Sequence, residues 1–323
     1  MEKEDNLFYK PIHKQSDVSV LIKDILKTKT VSAKRINYGE VNAVYTIQID
    51  NGDEYVLKIS PHTRGENNLL QEAWAFEKCH SIGVPVPEVI VADDSLSKFP
   101  EVYLLTKKIS GTPGGEIKFT DVDFLDLMHQ IGHYLFLIHS ISVEGFGEIE
   151  KSDNQFRGRY STLLESLTSV FTNSKWMDVV NTYGLITEDD LGRYQKMLVD
   201  NKKLFDLKTA SLTHGDMGPR NLIMRGNKIV GIVDMENLLA TDPIRDFHWF
   251  GYWIEDSQRL KELQNGYDNK EIFDNNFILK MKLFQIVYSI PALAYYHNRN
   301  ESISLKYLQK KIREADDYLK SLT

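Results

Sequence analysis

At 323 residues the chain is longer than one hydrophobic core usually serves, so two lobes are expected. Lys and Arg total 39 against 46 Asp and Glu, and the formal charge of −7 argues against nucleic acid as the main partner. Cys79 is the only cysteine, which excludes an intrachain disulfide and a Cys-based metal site. The charged start Met-Glu-Lys-Glu-Asp lacks an apolar signal core, and no run approaches the ~18 apolar residues of a membrane span. A cytoplasmic chain with no membrane partner is the expectation.

Residues 16–28 space their apolar side chains as a helix face, with Ser16 placed to cap it. Val41 to Ile49 alternates as a strand, Asn51-Gly52 is a hairpin turn, and Glu54 to Ile59 is a second strand. Arg64 to His80 reads as a helix carrying Glu72, and Pro87–Ala92 and Glu101–Lys107 read as further strands. The Gly/Pro-rich stretch 107–115 is the candidate hinge. Beyond it helical patterns dominate, at 121–141, 157–172, 188–205, 243–255, 271–297 and 301–321. The exception is a hairpin over Asn221–Val233, turning at Arg225-Gly-Asn-Lys228. The fold class is therefore α+β, with a small β-rich N-terminal part and a larger, mainly helical C-terminal part.

The run Leu212-Thr-His214-Gly-Asp216-Met-Gly-Pro-Arg-Asn221, followed by Asp234-Met-Glu236, carries the chemistry. It sets two carboxylates and an amide on loops joined by the hairpin. Phosphoryl transfer from a nucleotide needs that set: one carboxylate to orient an attacking hydroxyl and accept its proton, the other oxygens to hold Mg2+ against the phosphates. Alone, Asp216 would pass for a solvated Asp in a turn before Gly218-Pro219. With His214, Asn221 and Asp234 in register, the catalytic reading wins. Asn221 and Asp234 form the candidate metal pair, since Mg2+ takes oxygen ligands and keeps several waters. Residues Lys228–Val233 are near-continuously apolar, so the strand is buried, and a charge at its end is costly unless it is paired or ligates something.

The spacing H-x-D-x-x-x-x-N, with D-x-E eighteen residues after the first Asp and Asp242-Pro243…Asp246 beyond, resembles the aminoglycoside phosphotransferase and choline kinase superfamily. The resemblance implies a bilobal protein-kinase-like fold. Residues 1–107 would be a nucleotide-binding lobe with an N-terminal helix, 108–115 the hinge, and 116–323 a helical lobe holding the catalytic and metal loops. It implies an ATP- and Mg2+-dependent phosphotransferase acting on a small molecule, most plainly an aminoglycoside-type antibiotic. Choline, ethanolamine, homoserine, sugar or macrolide kinases are the alternatives, followed by a non-catalytic nucleotide-binding module. A protein kinase fits less well: Asp242 follows Asp234 by only eight residues, which leaves little room for an activation segment.

By the same resemblance Asp216 is the catalytic base, while His214 buttresses its loop and Asp246 braces that loop from the next helix. Lys58 would contact the α- and β-phosphates, paired with Glu72 fourteen residues later. A snorkelling surface lysine is its bland alternative. Gly39 and Asn42 lie in a phosphate-covering loop with one glycine, and the Asn42 side chain would meet phosphate oxygens. Thr106 would gate the base pocket, with Lys107 and Ile109 offering backbone groups to the base. The small threonine favours ATP, GTP being the alternative. Glu236 is either a metal or substrate ligand or an exposed loop residue. Trp253, Glu255 and Asp256 combine a ring with carboxylates suited to a cationic substrate, although a buried helix with an acidic end is the favoured reading. A monomer is expected.

Overall fold

Helix α1 (Gln15–Leu26) forms on the predicted periodicity, and it buries Val18, Leu21 and Ile22. A computed structural model describes residues 13–36, 42–60, 68–153, 155–253 and 257–322, with backbone alone at 68, 252, 253 and 257. Lys14, not Ser16, occupies the cap position of α1, and the Ser16 hydroxyl instead donates to the Asp17 carboxylate. There follow β1 (Thr30–Ile36), β2 (Ala43–Ile49), β3 (Glu54–Ser60), α2 (Asn68–Ser81), β4 (Val89–Asp93), β5 (Val102–Lys107) and β6 (Thr112–Pro113). Next come α3 (Asp121–His139), β7 (Ser142–Val143), β8 (Phe146–Ser152), β9 (Gln155–Tyr160), α4 (Leu163–Ser169), α5 (Ser174–Thr182) and α6 (Glu188–Asp200). The chain then runs through β10 (Ala210–Thr213), β11 (Leu222–Arg225), β12 (Lys228–Ile232) and β13 (Leu239–Thr241). It closes with α7 (Ile244–Trp253), α8 (Ser257–Gly266), α9 (Phe277–Asn298) and α10 (Ser302–Lys320).

Contacts divide the chain into two units, Met1–Ile117 with Gly218–Glu236, and Lys118–Met217 with Asn237–Thr323. In the first unit a five-stranded antiparallel sheet has the order β1-β2-β3-β5-β4. Alternation along β2 and β3 sends Tyr45, Ile47, Ile49, Tyr55, Leu57 and Ile59 into one core with Leu21 and Ile22 of α1. A second sheet, β12-β11-β6, contains the predicted hairpin. That hairpin was expected within the helical C-terminal lobe, yet its partners lie in the first unit: β11 pairs with β6, and the Ile232 N–H donates to the Pro85 carbonyl at 2.7 Å. Part of the expected hinge is thereby a structural strand. Gly114 lies so close to the Pro219 carbonyl that a Cβ there would sit 2.6 Å from its oxygen, so the residue has to be glycine.

The second unit builds the sheet β7-β10-β13-β8-β9 and packs helices around it. Two sequence expectations fail here. The helix predicted over 157–172 starts at Leu163, because Gln155–Tyr160 pairs with β8 and Thr162 and Glu165 form a capping box. The helix predicted from residue 271 starts at Phe277, after a single tight turn at Lys270–Ile272. Sequence periodicity also missed β1, α5, α8 and the short strands β7, β10 and β13, which carry two to seven residues each on the strands and little pattern. Helix α9 is, against expectation, long and apolar enough by length and composition to cross a membrane, and 61% of its most apolar window is buried, as in a core helix.

Candidate functional site

In the first unit, β3 carries Lys58 and α2 carries Glu72, whose side chain is fully buried. The Lys58 ammonium donates to both Glu72 oxygens, at 2.8 and 3.0 Å, and to the Asp234 carboxylate at 2.7 Å. Glu72 also accepts the backbone N–H of Met235 at 3.1 Å, which ties α2 to the loop after β12. Burial alone would lower the Lys58 pKa, but the Glu72, Asp234 and Glu236 carboxylates outweigh it and raise it above the usual lysine value. Lys58 is thus a half-buried, charged lysine held by carboxylates rather than a snorkelling surface one.

Asp234 follows β12 with φ +65°, in the left-handed region that Asp tolerates better than most residues. Strained backbone of this kind concentrates where function fixes a side chain. Asn221 accepts the Val233 N–H on its carbonyl at 2.9 Å, which sets its backbone beside that of Asp234. Glu236 is half-buried and accepts from the Asn42 amide at 3.0 Å, so it belongs with the Lys58 cluster. Among the described residues no group of three or more His, Cys, Asp or Glu is arranged to hold a metal. Mg2+ does not need one, because waters and phosphate oxygens complete its shell. The oxygens of Asn221 and Asp234, and three carboxylates set against the single Lys58 ammonium, fit such an ion in donor type and charge.

Thr106 lies buried on β5, opposite Val56 of β3. The Lys107 N–H donates to the Glu88 carbonyl at 2.9 Å, so that group is already used and is not one it can offer to a base. Ile109 is half-buried, with its side chain over Gly231.

In the second unit, Asp216 is half-buried after β10 on a loop held by the Asp246 carboxylate. Asp246 accepts the backbone N–H groups of His214, at 2.9 Å, and Gly215, at 2.6 Å. The His214 side chain is fully buried, and its Nδ1 accepts the Asp216 N–H at 3.3 Å. Asp242 caps α7 by accepting the Ile244 N–H at 2.9 Å. The sequence reading missed two supports. His139, at the end of α3, lies with Nε2 2.9 Å from Asp246 and Nδ1 3.0 Å from the Tyr267 hydroxyl. Arg245 donates to the Thr213 hydroxyl at 2.9 Å and the Asn237 carbonyl at 2.7 Å. Gly215 has φ +82°, and a Cβ there would lie 2.5 Å from the Arg245 guanidinium, which explains a glycine before Asp216. No periodicity marks His139, which sits 107 residues from its carboxylate partner. Burial opposes ionisation of Asp246, but the bond from His139 and the nearby Arg245 and His214 outweigh it and hold its pKa below the usual carboxylate range.

Gly39, Glu255 and Asp256 lie outside the described residues, as does the side chain of Trp253. Of the other acidic residues near α8 and α9, Asp268 pairs with His133 at 3.6 Å and Asp274 accepts the Asn276 N–H at 2.8 Å. Both have structural partners within the unit.

A sequence model of the phosphotransferase enzyme family matches residues 32–274. A probable aminoglycoside 3'-phosphotransferase of Lactococcus lactis is 26% identical over 209 residues, covering 64% of this chain and 70% of that protein. Among solved structures, a thermostable aminoglycoside phosphotransferase APH(4)-Ia in ternary complex with ADP and hygromycin B superposes with a TM-score of 0.68, at 12% identity, over 91% of this chain and 96% of that one. A putative fructosamine-3-kinase from Thermobifida fusca gives 0.66 at 16% identity, over 92% and 98%. These likenesses show a kinase-like α+β fold, as the sequence predicts.

Proposed function

The chain belongs to the phosphotransferase enzyme family and is a small-molecule kinase; from that premise we propose that it transfers the γ-phosphate of ATP to a hydroxyl of an aminoglycoside-type compound, with Mg2+ as the accompanying ion. The observation that carries this reading is Lys58, held between Glu72 and Asp234 at 2.7–3.0 Å. A half-buried lysine, a buried glutamate and a strained loop carboxylate, drawn from three separate stretches of chain, are the parts that cradle and neutralise a nucleotide's phosphates. A nucleotide would draw the Lys58 ammonium onto its α- and β-phosphates and release Asp234 for the ion, which Asn221 would share. The ion would supply charge neutralisation to the phosphates.

Asp216 accepts the proton of the acceptor hydroxyl as that oxygen attacks the γ-phosphorus, whose bond to the β-phosphate oxygen breaks to release ADP. Its loop is fixed by Asp246 and His214, so little reorganisation is needed at the moment of reaction. Thr106, a small buried side chain, leaves room for adenine and favours ATP over GTP. The choice of acceptor is supported by the Lactococcus relative, whose name specifies aminoglycoside phosphorylation.

The test is to incubate the protein with Mg-ATP and a panel of aminoglycosides, hygromycin-type compounds, macrolides, choline, homoserine and sugar amines, reading ADP release and a phosphate mass gain on each acceptor. Mass gain on an aminoglycoside is expected. Gain only on another class would replace the substrate, and ATP binding without transfer to any acceptor would favour a non-catalytic module.

A further inference from the structure

Arg245 lies in the first turn of α7, 8% exposed, with its guanidinium against the loop that carries Asp216. Its Nη1 donates to the Thr213 hydroxyl at 2.9 Å, and that hydroxyl donates in turn to the Leu239 carbonyl at 3.1 Å. Its Nη2 donates to the Asn237 carbonyl at 2.7 Å. Thr213 ends β10, three residues before Asp216, while Asn237 and Leu239 lie where the chain enters β13 after Asp234-Met-Glu236. One guanidinium therefore ties the exit of β10 to the entry of its partner strand. A Cβ on Gly215 would lie 2.5 Å from both Nη1 and Nη2, so the backbone next to Asp216 rests directly on the fork. The Tyr288 ring packs on the same group, with 5.4 Å between its centroid and Cζ.

Burying a guanidinium is costly. Among the described residues its side-chain hydrogen-bond partners are neutral, a hydroxyl and a carbonyl. An apolar side chain would fill the space without that cost. What the guanidinium adds is direction. Its planar fork fixes two acceptors at a set angle and separation, which the single ammonium of a lysine does not do.

We propose that Arg245 is a positioning residue for phosphoryl transfer: it acts through Thr213, Gly215 and Asn237 to hold the Asp216 carboxylate in place for the acceptor hydroxyl. Asp246 grips the amides of His214 and Gly215; Arg245 adds the link to the chain at Asn237. The inference rests on reading Asp216 as the base of a small-molecule kinase.

The test compares the wild type with Arg245→Lys, Arg245→Met, Thr213→Val and the Arg245→Lys/Thr213→Val double variant. Arg245→Lys keeps the charge and loses only the fork, so it stays informative should Arg245→Met fold poorly. Hydrogen exchange read by mass spectrometry should quicken in Arg245→Lys over 210–217 and 237–241, with peptides of the first unit unchanged and the melting transition retained. In transfer from Mg-ATP to whichever acceptor the wild type phosphorylates, kcat of that variant should fall about 10- to 100-fold while KM for ATP stays within about twofold. Thr213→Val should lower kcat in the same sense, and the double variant should lose less than the product of the single losses, because both changes break one contact. A merely structural role would reduce the folded fraction and leave kcat per folded molecule as it was. Wild-type kcat in folded Arg245→Lys overturns the inference, as does unchanged exchange over 210–217. A wild type that transfers phosphate to no acceptor would count against the kinase reading, and quickened exchange over 210–217 would then still support the hold of Arg245 on the loop.

Discussion

The Lys58 ammonium lies 2.7 Å from the carboxylate of Asp234, 176 residues away in sequence, while holding Glu72 on its other side. One lysine thus joins the first sheet, helix α2 and the loop after β12. Removing it strands Glu72, which is fully buried, with the Met235 N–H as its remaining hydrogen-bond donor among the described residues. Breaking a buried ion pair from one side typically costs ~3–5 kcal/mol. Lys58→Met is therefore expected to lower unfolding free energy in urea by about that amount. Combined with Glu72→Leu, the loss should be smaller than the sum of the two single changes, because the second removes the stranded charge. A strictly additive double mutant would show that the pair is not coupled.

Asp216→Ala is expected to reduce turnover at least ~10²-fold, the scale of a positioned general base. Nucleotide affinity should change little, because the Lys58 cluster is untouched. Gly215→Ala should give a similar loss for a different reason: the new methyl would meet Arg245 and the backbone at φ +82° is strained, so the Asp216 loop shifts. Full activity in Asp216→Ala would end the assignment of that residue.

Stability should fall on acidification in two stages. His248 is buried against Arg245, and burial first, then the guanidinium, lowers its pKa to about 3. Its folded value lies below its unfolded value of ~6.5, so the unfolded chain takes up the proton first and unfolding becomes easier as pH drops below that point. Asp246 acts lower down. Its folded pKa is depressed below the ordinary ~3.9, so its contribution is fully present above that pH and is lost as pH falls further. The unfolding free energy measured from pH 7 to 4.5 should therefore decline in the wild type, and His248→Phe should flatten that slope while keeping the ring that stacks 5.2 Å from Tyr288. An unchanged slope would remove His248 from the account.

Helices α3 and α8 approach through glycines. A Cβ on Gly132 would lie 2.1 Å from the Leu263 carbonyl oxygen, and one on Gly266 would lie 1.9 Å from that of His129. Backbone cannot yield as a flexible side chain can, so Gly132→Ala or Gly266→Ala should destabilise by ~1–3 kcal/mol or more. Gly192 is the contrast: it lies within α6 with nothing near its would-be Cβ. There Gly→Ala should stabilise by ~0.5–1 kcal/mol, through lower unfolded-chain entropy. Thermal melts of the three variants decide; a stabilised Gly132→Ala would mean that the two helices do not pack this closely.

What could be read from the chain follows from where the information lies. The strands around Asn51-Gly52, the hairpin at Arg225–Lys228 and the long apolar helices were legible because their patterns are local. The Thr162–Glu165 capping box was also visible in sequence, and weighing it would have moved the start of α4 past β9. Strands of two to four residues such as β7, β10 and β13 could not be seen, because their formation depends on partners far along the chain. The pairing of Lys58 with Glu72 was expected from family likeness; the reach of Lys58 to Asp234 and the turn of Asn42 towards Glu236 were not.

By itself the sequence determined the identities and order of the candidate site groups: a carboxylate at 216, an amide at 221, a carboxylate at 234 and a lysine at 58. It also determined the alternation and helical spacing that drive apolar faces into cores. Tertiary structure alone decided the partners. It placed His139 and two backbone N–H groups on Asp246, gave Lys58 two carboxylates instead of one, and set the Asn42 oxygen in a buried place with no donor. The physical reason is that a side chain's charge and hydrogen-bonding role depend on what displaces water around it, and those neighbours come from distant parts of the chain.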